Sequence, residues 1–104
     1  MNFGYIRVST DKQTVKNQKI AIREYARKYR IRNLQWYEET ISGTKALKKR
    51  VLGKMIDELQ PGDTVIITEI SRLGRSMFVI MDAIEKCMKK GIKVISEEEI
   101  DTLL

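Results

Sequence analysis

The 104-residue chain carries 20 Lys and Arg against 14 Asp and Glu, a net charge of +6, with 42% hydrophobic and 33% charged residues. This suffices for one domain with a modest core, and the basic balance favours a polyanionic partner. A single cysteine, Cys87, excludes an internal disulfide, the absence of histidine excludes Ser-His-Asp hydrolysis and His-based zinc chemistry, and no apolar run approaches the roughly 20 residues of a membrane span.

The start of the chain enters a strand directly, without the apolar core or cleavage site of a signal peptide, so the expected location is cytoplasmic. Phe3 to Val8 is a short β-prone run. Thr10 and Gln13 have capping-box spacing for a following helix, in which Gln18, Ile22, Tyr25 and Tyr29 share a face. Core packing accounts for those two tyrosines. A second strand is predicted over Leu34 to Glu38, and Ile41-Ser42-Gly43-Thr44 reads as a loop.

Leu52, Met55, Ile56 and Leu59 then mark an amphipathic helix. Pro61-Gly62-Asp63 is the strongest turn signal, and Thr64-Val65-Ile66-Ile67 is the β-branched run of a central strand. Met77, Ile80, Met81, Ile84 and Met88 mark a third helix closed by Gly91 as a left-handed cap, and Ile92 to Ile95 supplies a fourth strand. The alternation predicts an α/β fold: an open, mainly parallel sheet of about four strands, order 2-1-3-4, with helices on both faces. No linker, repeat or low-complexity tract divides it.

Sites in such sheets form beyond the carboxyl ends of the strands, near the switch point in strand order. Ser9 falls just past strand one, and Glu69 to Arg75 just past strand three, so the two segments are predicted to meet. Strand alternation puts Tyr5, Arg7 and Ser9 on one side and Ile6 and Val8 on the other. Arg7 in a core strand calls for an anion, either a phosphate or a structural carboxylate such as Glu39 or Glu69. Ser9 reads as a hydroxyl nucleophile or as a helix cap. Arg72 and Arg75 point the same way from a helical turn, with Gly74 allowing close approach of a large anion, or else form a solvated basic face. Guanidinium forks beside a hydroxyl suit attack on a phosphodiester.

The run Lys45 to Arg50 precedes or opens the second helix, where the helix dipole disfavours cations unless a polyanion is near, or else it forms an exposed loop. Glu97-Glu98-Glu99 with Asp101 reads as a solvated tail, and Cys87 as packing in the third helix. Neither a P-loop nor a G-x-G-x-x-G is present, so no nucleotide cofactor is expected.

The segments Tyr5-Ile6-Arg7-Val8-Ser9-Thr10, Gln18, Glu39 with Ser42-Gly43, Gly62-Asp63 and Ile70-Ser71-Arg72-Leu73-Gly74-Arg75-Ser76 resemble, in order and across essentially the whole chain, the serine site-specific recombinases that include resolvases and DNA invertases. The resemblance implies a catalytic domain over residues 1–104, cut short before a long dimerisation helix and a DNA-binding domain. It implies Ser9 as nucleophile on double-stranded DNA through a 5′-phosphoseryl link, with Arg7, Arg72 and Arg75 on the scissile phosphate and Gln18 and Glu39 in support. No metal or nucleotide is implied, and the expected assembly is a homodimer that forms a tetramer, on the nucleoid when DNA is bound. Tyr5 belongs to the same motif. Ser71 stands where the family has an aspartate considered for leaving-group proton transfer, and either Lys49 or Arg50 falls at a further phosphate-binding position. A non-cleaving relative that binds DNA or partner subunits is the alternative, and a response-regulator-like or flavodoxin-like domain a more distant one.

Overall fold

The computed structural model describes residues 1–8, 12–41 and 50–98. Four strands, β1 (Asn2–Val8), β2 (Leu34–Thr40), β3 (Thr64–Ile67) and β4 (Lys93–Ser96), alternate with three helices, α1 (Lys12–Lys28), α2 (Val51–Glu58) and α3 (Met77–Lys90), and a 3-10 turn covers Ile70–Arg72. All three strand pairings are parallel and the order is β2-β1-β3-β4, as the alternation predicts.

The pleat of β1 divides the core in two. Phe3 and Tyr5 join Leu52, Met55, Ile56 and Leu59 of α2 and Ile80, Ala83 and Cys87 of α3 on one face. Ile6 and Val8 meet Ile22 of α1, with Ile66 and Ile95, on the other. Each of the buried Phe, Leu, Ile, Val and Met side chains contributes about 1.5–3 kcal/mol when fully withdrawn from water, so the two layers fix the register of the sheet. Cys87 is buried and free, and burial raises its pKa, consistent with packing.

Gly4 lies opposite Trp36 in the β1–β2 register, and a Cβ on it would come within 2.6 Å of Trp36 Cε3. The indole therefore needs glycine as its seat. Asp63 N–H bonds the Gln60 carbonyl at 3.0 Å across Pro61 and Gly62, whose φ of 93° fits the third position of a type II turn. Helix α3 begins where the Ser76 hydroxyl accepts from Val79 N–H at 3.1 Å and ends at Gly91 in the left-handed conformation.

Three sequence expectations need correction. The α3 stripe is split: Ile80 is buried with Ala83 and Cys87, whereas Met77, Met81 and Met88 face outward beside Phe78, which is 83% exposed. Tyr29 is 51% exposed, because α1 ends at Lys28 and its ring packs on Tyr25 at the rim, outside the core. Glu97 and Glu98 are not a free tail, since their N–H groups bond the Ile67 and Thr68 carbonyls at 2.8 and 2.9 Å and prolong the β3–β4 ladder. Glu99 and Asp101 lie outside the described residues, as does the Thr10 capping position.

Candidate active site

Strand β1 delivers Arg7 to the carboxyl edge of the sheet, and the chain leaving β3 returns there as the 3-10 turn. Arg7 uses its guanidinium to hold that junction: Nε donates to the Arg72 carbonyl at 2.9 Å, Nη2 to the Ser71 carbonyl at 2.9 Å and Nη1 to the Ile41 carbonyl at 3.3 Å. Neither Glu39 nor Glu69 pairs with it. Burial, and then the Arg50 charge, lower the pKa of Arg7, yet a guanidinium remains protonated at working pH.

Arg7, Glu69, Ser71, Arg72, Gly74, Arg75 and Ile80 line an open cavity of about 480 Å³. Arg72 Nε sits 2.6 Å from Glu69 Oε1, an ion pair set off the N–H axis, so among the described residues the proton on Nε has no well-aimed acceptor. Arg72 Nη1 donates to the Arg7 carbonyl at 3.3 Å. Gln18 Nε2 reaches the same carbonyl at 3.3 Å, while its buried Oε1 has no hydrogen-bond partner among the described residues. Gln18 and Arg72 also line an adjoining cleft of about 280 Å³ with Glu69, Glu97 and Glu98. Glu69 is the wall residue that the motifs did not single out as part of the site, although its i,i+3 spacing from Arg72 was the available signal.

Behind this wall lies a second, closed network. The Tyr5 hydroxyl donates to Glu39 Oε2 at 2.5 Å and accepts from Arg50 Nη2 at 2.8 Å, and Arg50 Nε meets Glu39 Oε2 at 3.3 Å. Arg50 Nη1 donates to the Leu73 carbonyl at 2.6 Å, and the amides of Val51 and Leu52 donate to Glu39 at 2.7 and 3.4 Å. Glu39 thus caps α2 from a neighbouring strand, in place of the Arg50 side chain at the N-cap. Burial, followed by the Glu39 hydrogen bond, pushes the Tyr5 phenol far above its ordinary value, which leaves it a poor nucleophile. Arg50 is buried and spent on internal acceptors, so it offers no fork to a phosphate in this arrangement. Of the sequence candidates, Arg7, Ser71, Arg72 and Arg75 converge on the cavity, Gln18 flanks it, and Tyr5, Glu39 and Arg50 support it from beneath. Ser9 and Lys49 lie outside the described residues, as do Ser42 and Gly43.

An open parallel sheet with an arginine-lined cavity beyond its strand ends defines an α/β domain suited to holding an oxyanion. The family model for the resolvase N-terminal domain matches residues 2–103. A resolvase of Clostridium perfringens (strain 13 / Type A) is 42% identical over 104 residues, covering 98% of this chain and 52% of the relative. The transposon Tn2501 resolvase of Escherichia coli is 37% identical over 93 residues, covering 88% of this chain and 47% of the relative. The solved N-terminal catalytic domain of TP901-1 integrase superposes with a TM-score of 0.72 at 21% identity, covering 95% of this chain and 78% of that one, a likeness of fold. The chain belongs to the resolvase family, and it spans about half the length of the curated relatives it matches. No helix among the described residues is long and apolar enough to cross a membrane.

Proposed function

We propose that residues 1–104 form the catalytic domain of a serine recombinase that performs site-specific recombination on double-stranded DNA. Ser9 Oγ attacks the scissile phosphorus, the P–O3′ bond breaks, and the serine proton leaves with the 3′ oxygen. The products are a 5′-phosphoseryl link and a free 3′-hydroxyl. Rejoining is the reverse attack by a 3′-hydroxyl, so the phosphodiester's bond energy is conserved and no metal or nucleotide is required.

The observation that carries this reading is the convergence of Arg7, Arg72 and Arg75 on one cavity at the end of β1, the strand that leads into Ser9. Fixed guanidinium donors stabilise the extra charge of a pentacovalent phosphorus without reorganising, the kind of electrostatic contribution that is usually largest in such reactions. Membership of the resolvase family supports the same chemistry. The exposed Met77, Phe78, Met81 and Met88 on α3 support assembly of subunits, a dimer advancing to a tetramer, because an apolar helix face of this kind marks an interaction surface. Acting on DNA, the protein works at the nucleoid.

The test is a nicked duplex carrying the recombination site, incubated with wild-type protein and with Ser9→Ala, followed by denaturation. An adduct in wild type alone supports the reading, and cleavage that survives Ser9→Ala refutes it.

Ser71 favours a second reading, a member that binds DNA or partner subunits without cutting. Its side chain is exposed beside the cavity and has no charge to offer the leaving group. Site-specific binding with no adduct selects this reading. If serine only slows the reaction, Ser71→Asp raises the rate of adduct formation by about 10²-fold or more, the scale of general acid assistance.

A further inference from the structure

The opposite end of the sheet carries a second basic concavity. Helix α1 closes with Ile31 N–H on the Ala26 carbonyl at 2.8 Å and Arg30 N–H on the Arg27 carbonyl at 3.3 Å, a Schellman arrangement. The same device ends α3 with glycine, but here the left-handed position is occupied by Arg30, at φ 56°. Arginine has no steric reason to be there, and strain of this kind points to use of the side chain.

Arg23, Arg27, Arg30, Arg32 and Asn33 surround a pocket of about 440 Å³ at the amino end of β2, the end remote from Arg7. The loop is held in shape: Asn2 Nδ2 donates to the Arg32 carbonyl at 3.0 Å, Ile31 packs on the core, and the Arg23 guanidinium stacks 5.3 Å from the Trp36 ring centroid. Among the described residues no carboxylate pairs with any of the four arginines; the ion pairs there involve other groups. The negative end of the helix dipole accounts for Arg27 and Lys28 in the last turn, but not for Arg30 or Arg32 beyond it. Four uncompensated forks around a hollow match phosphodiester oxygens.

We propose that this pocket binds the phosphate backbone of a DNA segment other than the one held at Arg7 and Arg72, an inference that rests on the reading of the protein as DNA-acting. The two sites lie at opposite ends of the strands in a body 33 × 32 × 26 Å. DNA has a persistence length of about 150 bp, so one short duplex does not fold around both ends without a large bending cost. The pocket therefore serves a second duplex, or a distant stretch of the same molecule.

The experiment measures binding of the protein to a non-specific 30-bp duplex (length of about three helical turns) across a salt series. It compares wild type, Arg30→Gly, the triple variant Arg27→Gln/Arg30→Gly/Arg32→Gln, and the control Lys86→Gln/Lys89→Gln on α3. Each lost phosphate contact flattens the log K against log salt slope by about 0.9, so the triple variant is expected to flatten it by about 2 to 3 and to weaken low-salt binding at least about tenfold. Arg30→Gly is expected to bind more weakly while melting a few degrees higher, because glycine relieves the left-handed position, an opposition that a purely structural arginine does not produce. The control retains its slope.

An unchanged slope in the triple variant overturns the proposal, as does an equal loss in the control. Changed self-association with unaltered duplex binding assigns the face to protein contacts and also overturns it. Loss of inorganic pyrophosphate binding alone assigns the pocket to small anions and overturns it as well. Adduct formation on the nicked substrate is followed in parallel: its absence in wild type counts against the recombinase reading, independently of the slopes.

Discussion

Arg7 and Arg72 bind each other's backbone: Arg7 Nε donates to the Arg72 carbonyl at 2.9 Å, and Arg72 Nη1 donates to the Arg7 carbonyl at 3.3 Å. Two cations that repel are thereby held side by side: Arg7 is held by neutral carbonyls alone and keeps its charge available to an anion, whereas Arg72 also pairs with Glu69 at 2.6 Å. Lysine keeps the charge and loses the fork, so Arg72→Lys is expected to reduce adduct formation by about 10²–10³ with little loss of stability, the cost of one transition-state donor. Arg7→Lys is expected to match that loss and also to lower stability by about 1 to 3 kcal/mol, since it gives up most of three hydrogen bonds. Single-turnover adduct kinetics and urea unfolding separate the two effects.

The Glu39–Arg50 pair is expected to behave as a buried unit. Arg50→Leu strands the Glu39 carboxylate away from water and should cost about 3–5 kcal/mol. Adding Glu39→Gln should recover part of that loss, which appears in a double-mutant cycle as a coupling of about 0.5–3 kcal/mol. Additive losses in denaturant would show that the pair does not act as one.

Asp63 accepts from the Met1 ammonium group at 2.8 Å and from Gln60 N–H at 2.8 Å, and these bonds, the ammonium first, lower its pKa. A carboxyl that is more acidic in the folded chain binds its proton more readily when unfolded. Its stabilisation is therefore complete above the ordinary aspartate range near about 3.9 and is lost as pH falls through the lower, folded value. Asp63→Asn should be less stable at neutral pH and show a shallower decline in acid, as measured by thermal melting from neutrality downward.

Ser76 supplies the hydroxyl cap of α3 directly after the Ser71–Arg75 segment. Ser76→Ala is expected to cost about 1 kcal/mol, with faster amide exchange at Val79. Ser76→Asp should restore the cap, and failure to do so would place the importance of this serine elsewhere.

The strands and helices were legible because their periods differ: Val65, Ile66 and Ile67 form a continuous apolar run, while Leu52, Met55, Ile56 and Leu59 recur at helical spacing. The convergence of Arg7 with Ser71 to Arg75 was legible too, because parallel strands place all their carboxyl ends together. Burial on α3 was harder to read. Ile80 and Ile84 turn inward and Met77, Met81 and Met88 outward, yet all five are apolar, and only the position of the sheet decides which side is buried. Arg50 shows a different limit. An arginine suited to phosphate is equally suited to a carboxylate, and Glu39 and Tyr5, which claim it, arrive from strands 11 and 45 residues away.

Trp36 is the single tryptophan of the chain, seated on Gly4 with Lys19 Nζ 5.5 Å and Arg23 Cζ 5.3 Å from its ring centroid. The Arg23 that caps this indole is also a wall of the remote basic pocket. Intrinsic fluorescence therefore reports from one known place: an anion that draws Arg23 away removes a cation from the ring, and the emission changes without any label being attached.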